Sequence, residues 1–168
     1  IKQISIKKEH GAYFSYVLFE TESKNIYPTS ENQAVGIDMG IDKFVADSNE
    51  TYVENPKIGE KNEKKLRVKS RELSKKKVDS NGFKKVKLEI NKLYYKITNQ
   101  KIDFANKLSL QYVKNNSLIV CEDLKVKSMI QDKDYSKSIA DVSWSRFFGM
   151  LKYKSQHYEK EFIQVNPK

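Results

Sequence analysis

The sequence predicts an α/β fold built on a mixed sheet, and three observations carry the prediction. An apolar strand, Val35-Gly36-Ile37-Asp38-Met39-Gly40, opens a run of three short strands separated by turns. A long, lysine-rich block then reads as helical. Directly after it, Leu118-Ile119-Val120-Cys121 is a run of apolar residues bounded by polar turns, the pattern of a strand buried on both faces.

In chain order, Ile1–Glu20 reads as two strands turning at Glu9-His10-Gly11-Ala12, the second carrying apolar or aromatic residues on both faces. Thr21–Asn32 is polar, contains Pro28 and reads as a linker. The Asp38 strand follows, then Phe44–Asp47 and Thr51–Val53 around a turn at Ser48-Asn49-Glu50, giving an antiparallel meander. Pro56 ends it. Lys61–Val78 has helical composition with a thin seam of Leu66 and Leu73. Asp79-Ser80-Asn81-Gly82 is a turn, and from Phe83 to Asn115 no Gly or Pro interrupts. A face of Leu88, Tyr95, Ile102, Ala105, Leu108 and Tyr112 is expected to pack. The Leu118–Cys121 strand is expected to lie parallel beside the Asp38 strand. Leu124–Ile139 is an irregular connection with an Asp132-Lys133-Asp134 cluster of no assigned role. Asp141 or Ser143 can cap a helix reaching about Lys160, with Trp144, Phe147, Phe148, Leu151 and Tyr158 as core positions. Phe162–Val165 is the last strand. This is the strand order of an RNase H-like sheet with a long basic helical hairpin inserted before the fourth strand and a β-hairpin ahead of it.

Composition narrows the partner. The chain has 168 residues and a net charge of +10, with one cysteine and two histidines. Residues 57–114 hold 18 Lys/Arg against 6 Asp/Glu, and the remainder 14 against 16, so the whole excess lies in the helical block. A localised basic block points to a polyanion, most often nucleic acid; the alternative is a solvated helix face. Candidate phosphate contacts are Lys64, Lys65, Arg67, Lys69, Arg71, Lys75, Lys76, Lys77, Lys84 and Lys85. The single Cys121 allows no disulfide framework, which suits a reducing, cytoplasmic setting, and a nucleic-acid partner would place the protein close to the nucleoid. One cysteine and two distant histidines make no zinc site of usual composition. No stretch approaches a membrane span.

Asp38 is the first candidate site residue. An aspartate inside an apolar strand is costly to bury without a compensating cation, and Gly36 and Gly40 leave room for another backbone to approach. Either Asp38 holds a metal ion or it faces solvent on a plain hairpin. Glu122, at the carboxyl end of the fourth strand, stands where open α/β sheets place their ligand sites. Two carboxylates on adjacent strands are the residue types that hold Mg²⁺, which takes oxygen ligands and keeps waters.

Val35-Gly-Ile-Asp-Met-Gly, Glu54-Asn-Pro-Lys57, Ile119-Val-Cys-Glu-Asp-Leu124, Ser138-Ile-Ala-Asp-Val-Ser-Trp144 and Val165-Asn-Pro-Lys168 together resemble the TnpB (OrfB) family, transposon-encoded proteins that act as RNA-guided DNA endonucleases. The resemblance implies that Asp38 and Glu122 are two members of a RuvC-type triad working with Mg²⁺ or Mn²⁺, with DNA and a guide RNA as partners. It implies that residues 1–32 are the end of a preceding β-rich wedge domain plus a linker. Residues 33–168 are then a RuvC-like domain with its helical hairpin at 61–115. In the family a zinc ribbon and the third catalytic Asp lie beyond the equivalent of Lys168. Both ends of the chain therefore read as cut, and zinc is expected only in that ribbon. The chain alone is expected to fold but not to cleave, its two carboxylates hydrated or paired with a lysine. Asp42, Asp47 and Asp123 are the first places to look for a third ligand. The competing function is a nucleic-acid-binding module without cleavage, and a strand-joining recombinase is a third possibility for which no Ser or Tyr nucleophile motif is evident.

Overall fold

The computed structural model describes residues 1–9, 12–20, 33–124 and 143–166. The expectations for His10, the Pro28 linker, the Asp132-Lys133-Asp134 cluster and Asp141 fall outside these residues. The chain divides into two compact units, one of residues 1–24 and 59–100, the other of residues 25–58 and 101–168.

The first unit contains an antiparallel hairpin, β1 (Gln3–Glu9) and β2 (Ala12–Leu18), in register from Gln3↔Leu18 to Glu9↔Ala12. It also contains nearly all of helix α1 (Ile58–Ser74) and the first part of α2 (Asn81–Asn115). Ser80 starts α2, its Oγ accepting from the Phe83 amide at 3.1 Å. That satisfies one of the amides a helix start leaves open. The packed face of α2 here is Val86, Ile90 and Ile97, all buried, whereas Leu88 is 39% exposed. Leu88 therefore does not belong to the seam expected from sequence. Two residues on from Val86, it sits about half a turn round the helix. Tyr95 does pack, its ring 5.7 Å from that of Phe14 on β2.

The second unit is built on a five-stranded sheet. Its members are β3 (Ala34–Met39), β4 (Lys43–Asp47), β5 (Tyr52–Glu54), β6 (Leu118–Glu122) and β7 (Glu161–Val165), in the order β5-β4-β3-β6-β7. The pairs β5–β4 and β4–β3 are antiparallel; β3–β6 and β6–β7 are parallel. The fold is thus mixed α/β, with the apolar run Leu118–Glu122 beside the Asp38 strand.

One face of this sheet is packed. Val35, Ile37 and Met39 alternate inward on β3, Ile119 and Cys121 on β6. They join Ala105, Leu108, Tyr112 and Val113 of α2 and Trp144, Phe147, Phe148 and Leu151 of α3 (Trp144–His157) in one core. Ile102 stays 37% exposed, so it too lies off the expected seam. On β4 the register shifts between Lys43 and Val45, and both Phe44 and Val45 are buried. A bulge lets consecutive residues face the same way, and Phe44 uses it to meet Phe104 and Phe147 edge-on at 4.9 and 5.3 Å.

Two anticipated features differ. Ser143 does occupy the N-cap position of α3, but with φ 60° and no side-chain capping bond; the left-handed backbone takes the hydroxyl away from the usual capping geometry. Gly40 is required by the chain's own turn, since a Cβ there would lie 2.6 Å from the Lys43 carbonyl oxygen.

Candidate active site on the open face of the sheet

Strand parity decides which acids are available. With Val35, Ile37 and Met39 turned into the core, Gly36 and Asp38 stand on the other face, because successive side chains alternate. On β6 the same alternation buries Ile119 and Cys121 and leaves Glu122 exposed on that face. The β3–β6 pairs run from Ala34↔Leu118 to Ile37↔Cys121, and one further step sets Asp38 level with Glu122. Neighbouring strands lie about 4.8 Å apart, so the two carboxylates are adjacent on one surface. Asp38 is therefore not buried in an apolar setting and needs no cation to compensate it.

This level is set from the far end of the strands. The Gln33 carbonyl accepts from the Ser117 amide at 2.8 Å, the Leu118 amide at 3.3 Å and the Ser117 hydroxyl at 2.9 Å. The Ser117 carbonyl in turn accepts from the Glu161 amide at 2.9 Å. Strands β3, β6 and β7 thus begin in phase.

The register extends across the sheet. Tyr52 pairs with Ala46, Ala46 with Asp38, and Glu122 with Val165. Tyr52, Ala46, Asp38, Glu122 and Val165 form a row on the open face, and all five line one groove of about 460 Å³. Gly36 and Ser48 also line it. The Ser48 hydroxyl accepts from the Gly36 amide at 3.0 Å while the Gly36 carbonyl accepts from the Ser48 amide at 2.9 Å, which fixes the end of β4 against β3.

Of the neighbouring acids, Asp47 has its carboxylate engaged elsewhere. Asp47 pairs with Ile37 and so shares its face of the sheet. One of its oxygens accepts from the amides of Asn49 and Thr51 at 2.9 and 3.0 Å, closing the β4–β5 turn. The other accepts from the Tyr112 hydroxyl on α2 at 2.9 Å. Burial, with the Asp47 carboxylate, pushes the Tyr112 phenol above its usual range. Asp42 is exposed in the β3–β4 turn, its carbonyl accepting from the Asn55 amide at 3.2 Å. Asp123 follows Glu122, with its amide bonded to the Val165 carbonyl at 2.8 Å. Burial, followed by the Asp123 charge, pushes the Cys121 thiol up to about 11. Among the described residues no three His, Cys, Asp or Glu side chains gather as a metal-holding group.

The Glu54-Asn-Pro-Lys57 stretch works as a clamp. The Asn55 side chain donates to the Ile41 carbonyl at 2.7 Å and accepts from the Lys57 amide at 2.9 Å, tying the β3–β4 turn to the start of α1.

In the other unit, Lys64, Lys65, Arg67, Arg71, Lys75, Lys76, Lys77, Lys84 and Lys85 are exposed. Arg67 pairs with Glu63 at 2.9 Å. Lys69 is partly buried between Glu89 at 2.7 Å and Glu72 at 3.0 Å. The bond to Glu89, then that to Glu72, raises its pKa. Lys69 thus bridges α1 and α2, whereas the Arg67 pair lies within α1.

Sequence reasoning missed Tyr52, the exposed aromatic in the row. The signal that could have found it is parity, since the Ser48–Glu50 turn fixes which β5 residue meets Ala46.

A family model described as "Probable transposase", OrfB_IS605, matches residues 16–133. A Streptomyces pristinaespiralis protein named "Putative RNA-guided DNA endonuclease" is 32% identical over 133 residues, covering 79% of this chain. An Escherichia coli K12 protein named "Putative RNA-guided DNA endonuclease InsQ" is 29% identical over 183 aligned positions, covering 99%. The chain spans 33% and 45% of the lengths of these two relatives. No helix among the described residues is long and apolar enough to cross a membrane. With the family model matching well over half of its residues, the chain belongs to the OrfB_IS605 transposase family.

Proposed function

We propose that this chain carries the RuvC-type, RNase H-like nuclease core of an RNA-guided DNA endonuclease, with Asp38 and Glu122 as its catalytic carboxylates. One observation carries the reading: β3 and β6 run parallel in a register that sets Asp38 level with Glu122, both exposed on one groove. The sheet order β5-β4-β3-β6-β7, antiparallel on one side and parallel on the other, supports the fold assignment. The relatives' names support the reaction class and, with it, DNA and a guide RNA as partners.

The donor chemistry fits a hard divalent cation. Two carboxylates on an open surface offer oxygen ligands only and leave positions for water, which suits Mg²⁺ or Mn²⁺. Asp38 and Glu122 would hold the ion, which when bound polarises a phosphodiester and activates water. The remaining work falls to the chain itself. Gly36 and Ala46 keep the floor around Asp38 low, so a sugar–phosphate backbone can approach the carboxylates. Exposed lysines of the helical unit, such as Lys75, Lys76 and Lys77, supply point charges suited to phosphate rather than base contacts.

The test is guide-directed plasmid cleavage by a protein carrying this chain, in Mg²⁺ and Mn²⁺. Asp38→Ala or Glu122→Ala is expected to bring cleavage below detection while DNA binding survives. Undiminished cleavage by either variant would remove these residues from the chemistry, and binding without metal-dependent cleavage by the unsubstituted protein would favour a binding module.

A further inference from the structure

The exposed tyrosine in the carboxylate row lies outside the hydrophobic core. Tyr52 is 55% exposed on the outermost strand of the sheet and faces the same groove as Asp38 and Glu122. Only Ala46 separates it from Asp38 along the row. Two strand spacings put the Tyr52 backbone about 10 Å from that of Asp38, a span of one or two nucleotides of extended strand. The small side chain of Ala46 leaves the path between them open. The Lys43 ammonium lies 3.6 Å from the Tyr52 ring centroid, a cation held against the π-face. An aromatic ring and the two candidate carboxylates therefore share a single groove, with a cation held against the ring.

We propose that Tyr52 is a nucleobase-stacking subsite of this groove, taking an unpaired base next to the phosphodiester that the carboxylates address, with Lys43 meeting the adjoining phosphate. The proposal deepens the nuclease reading and rests on it for the identity of the ligand. Its chemical content is that the Tyr52 ring takes the face of a base that is not already stacked. In a duplex each base already stacks on its neighbours and would have to be extruded first. Aromatic platforms of this kind tolerate any base, because every base has a π-face.

The test uses the full chain with Tyr52→Trp as an exposed fluorophore; the chain's own Trp144 is buried and gives a constant background. Three oligonucleotides of equal length are titrated without divalent metal: a single strand, an abasic strand of the same charge, and a duplex. The expected result is saturable quenching by the single strand and little by the other two. In the unsubstituted background, Tyr52→Ala should bind the single strand about ten-fold more weakly and Tyr52→Phe within about two-fold. Equal quenching by the abasic strand, equal quenching by duplex, or unchanged affinity in Tyr52→Ala would each overturn the stacking subsite. Asp38→Ala separates the two ideas. Quenching that persists when Asp38 is removed, beside cleavage that never depended on Asp38, refutes the nuclease assignment and leaves the subsite standing.

Discussion

The two faces of the sheet treat the same residue type in opposite ways. Asp38 and Asp47 sit on adjacent strands, one residue apart in register. On the packed face Asp47 has both oxygens engaged, by two turn amides and by the Tyr112 hydroxyl. On the open face Asp38 is exposed beside Glu122, in a groove whose floor is Gly36 and Ala46. An acid's role here follows from whether its position is odd or even along the strand. The packed face converts a carboxylate into architecture, and the open face keeps one available for a ligand.

The largest effect expected from this contrast is functional. Asp38→Asn should bring metal-dependent cleavage below detection, yet shift stability by no more than about 0.5 kcal/mol, as for an exposed residue outside any network. Urea denaturation alongside the cleavage assay measures both, and a large loss of stability would mean that Asp38 is structural after all. Asp47→Ala should do the reverse in the stability assay. It breaks three hydrogen bonds to a carboxylate and leaves the Tyr112 hydroxyl unsatisfied, costing about 2–4 kcal/mol. Any cleavage defect should then track the unfolded fraction.

Gly40→Ala comes next. Its Cβ would meet the Lys43 carbonyl at 2.6 Å, so the turn must shift, and a loss of about 2 kcal/mol is expected. Gly36→Ala makes the contrast, since its Cβ would lie 3.7 Å from Ser48 in ordinary contact. There the stability change should stay under about 1 kcal/mol. A cleavage loss in Gly36→Ala with stability intact would show that the low floor matters to substrate.

The smallest effect is alkaline. The native Tyr112 phenol titrates above the unfolded value of about 10, so above that pH the unfolded chain releases its proton first. Stability from this group is complete below about pH 10 and declines as pH rises further. Tyr112→Phe should lose about 1 kcal/mol near neutrality and lack that added alkaline decline, read from urea midpoints at about pH 8 and about pH 11.

Much of the sheet was legible because its signals are local. The run Leu118–Cys121 and the turn residues between 47 and 51 mark strands by composition and punctuation, and the parallel placement of β6 follows from a long helix leading into it. The packed face of α2 was less legible. Leu88, Tyr95 and Ile102 repeat every seven residues and look like a seam, but Val86, Ile90 and Ile97 are the buried set, and of the first three only Tyr95 packs. Both triplets satisfy helical spacing, and only tertiary packing chooses between them. The carboxylates Asp38 and Glu122 were found by residue type and position, whereas their matched level depends on hydrogen bonds between Gln33, Ser117 and Glu161, distant in sequence. Asp47 looked equivalent to Asp42 and Asp123 as a further ligand, because nothing in its neighbours announces a bond to Tyr112, 65 residues away.

The convergence of β3, β6 and β7 on the Gln33 and Ser117 carbonyls has a consequence for how this architecture can vary. Asp38, Glu122 and Val165 are each the fifth residue of their strand, counted from that common origin. Their alignment is thus indifferent to how many residues the chain spends between one strand and the next. The excursion over 59–100, which belongs to the other unit, can lengthen, shorten or change sequence without a frame error reaching the acids. A single residue inserted between Ser117 and Glu122 would turn the glutamate to the wrong face. The fold separates a segment free to drift from a five-residue ruler that is not.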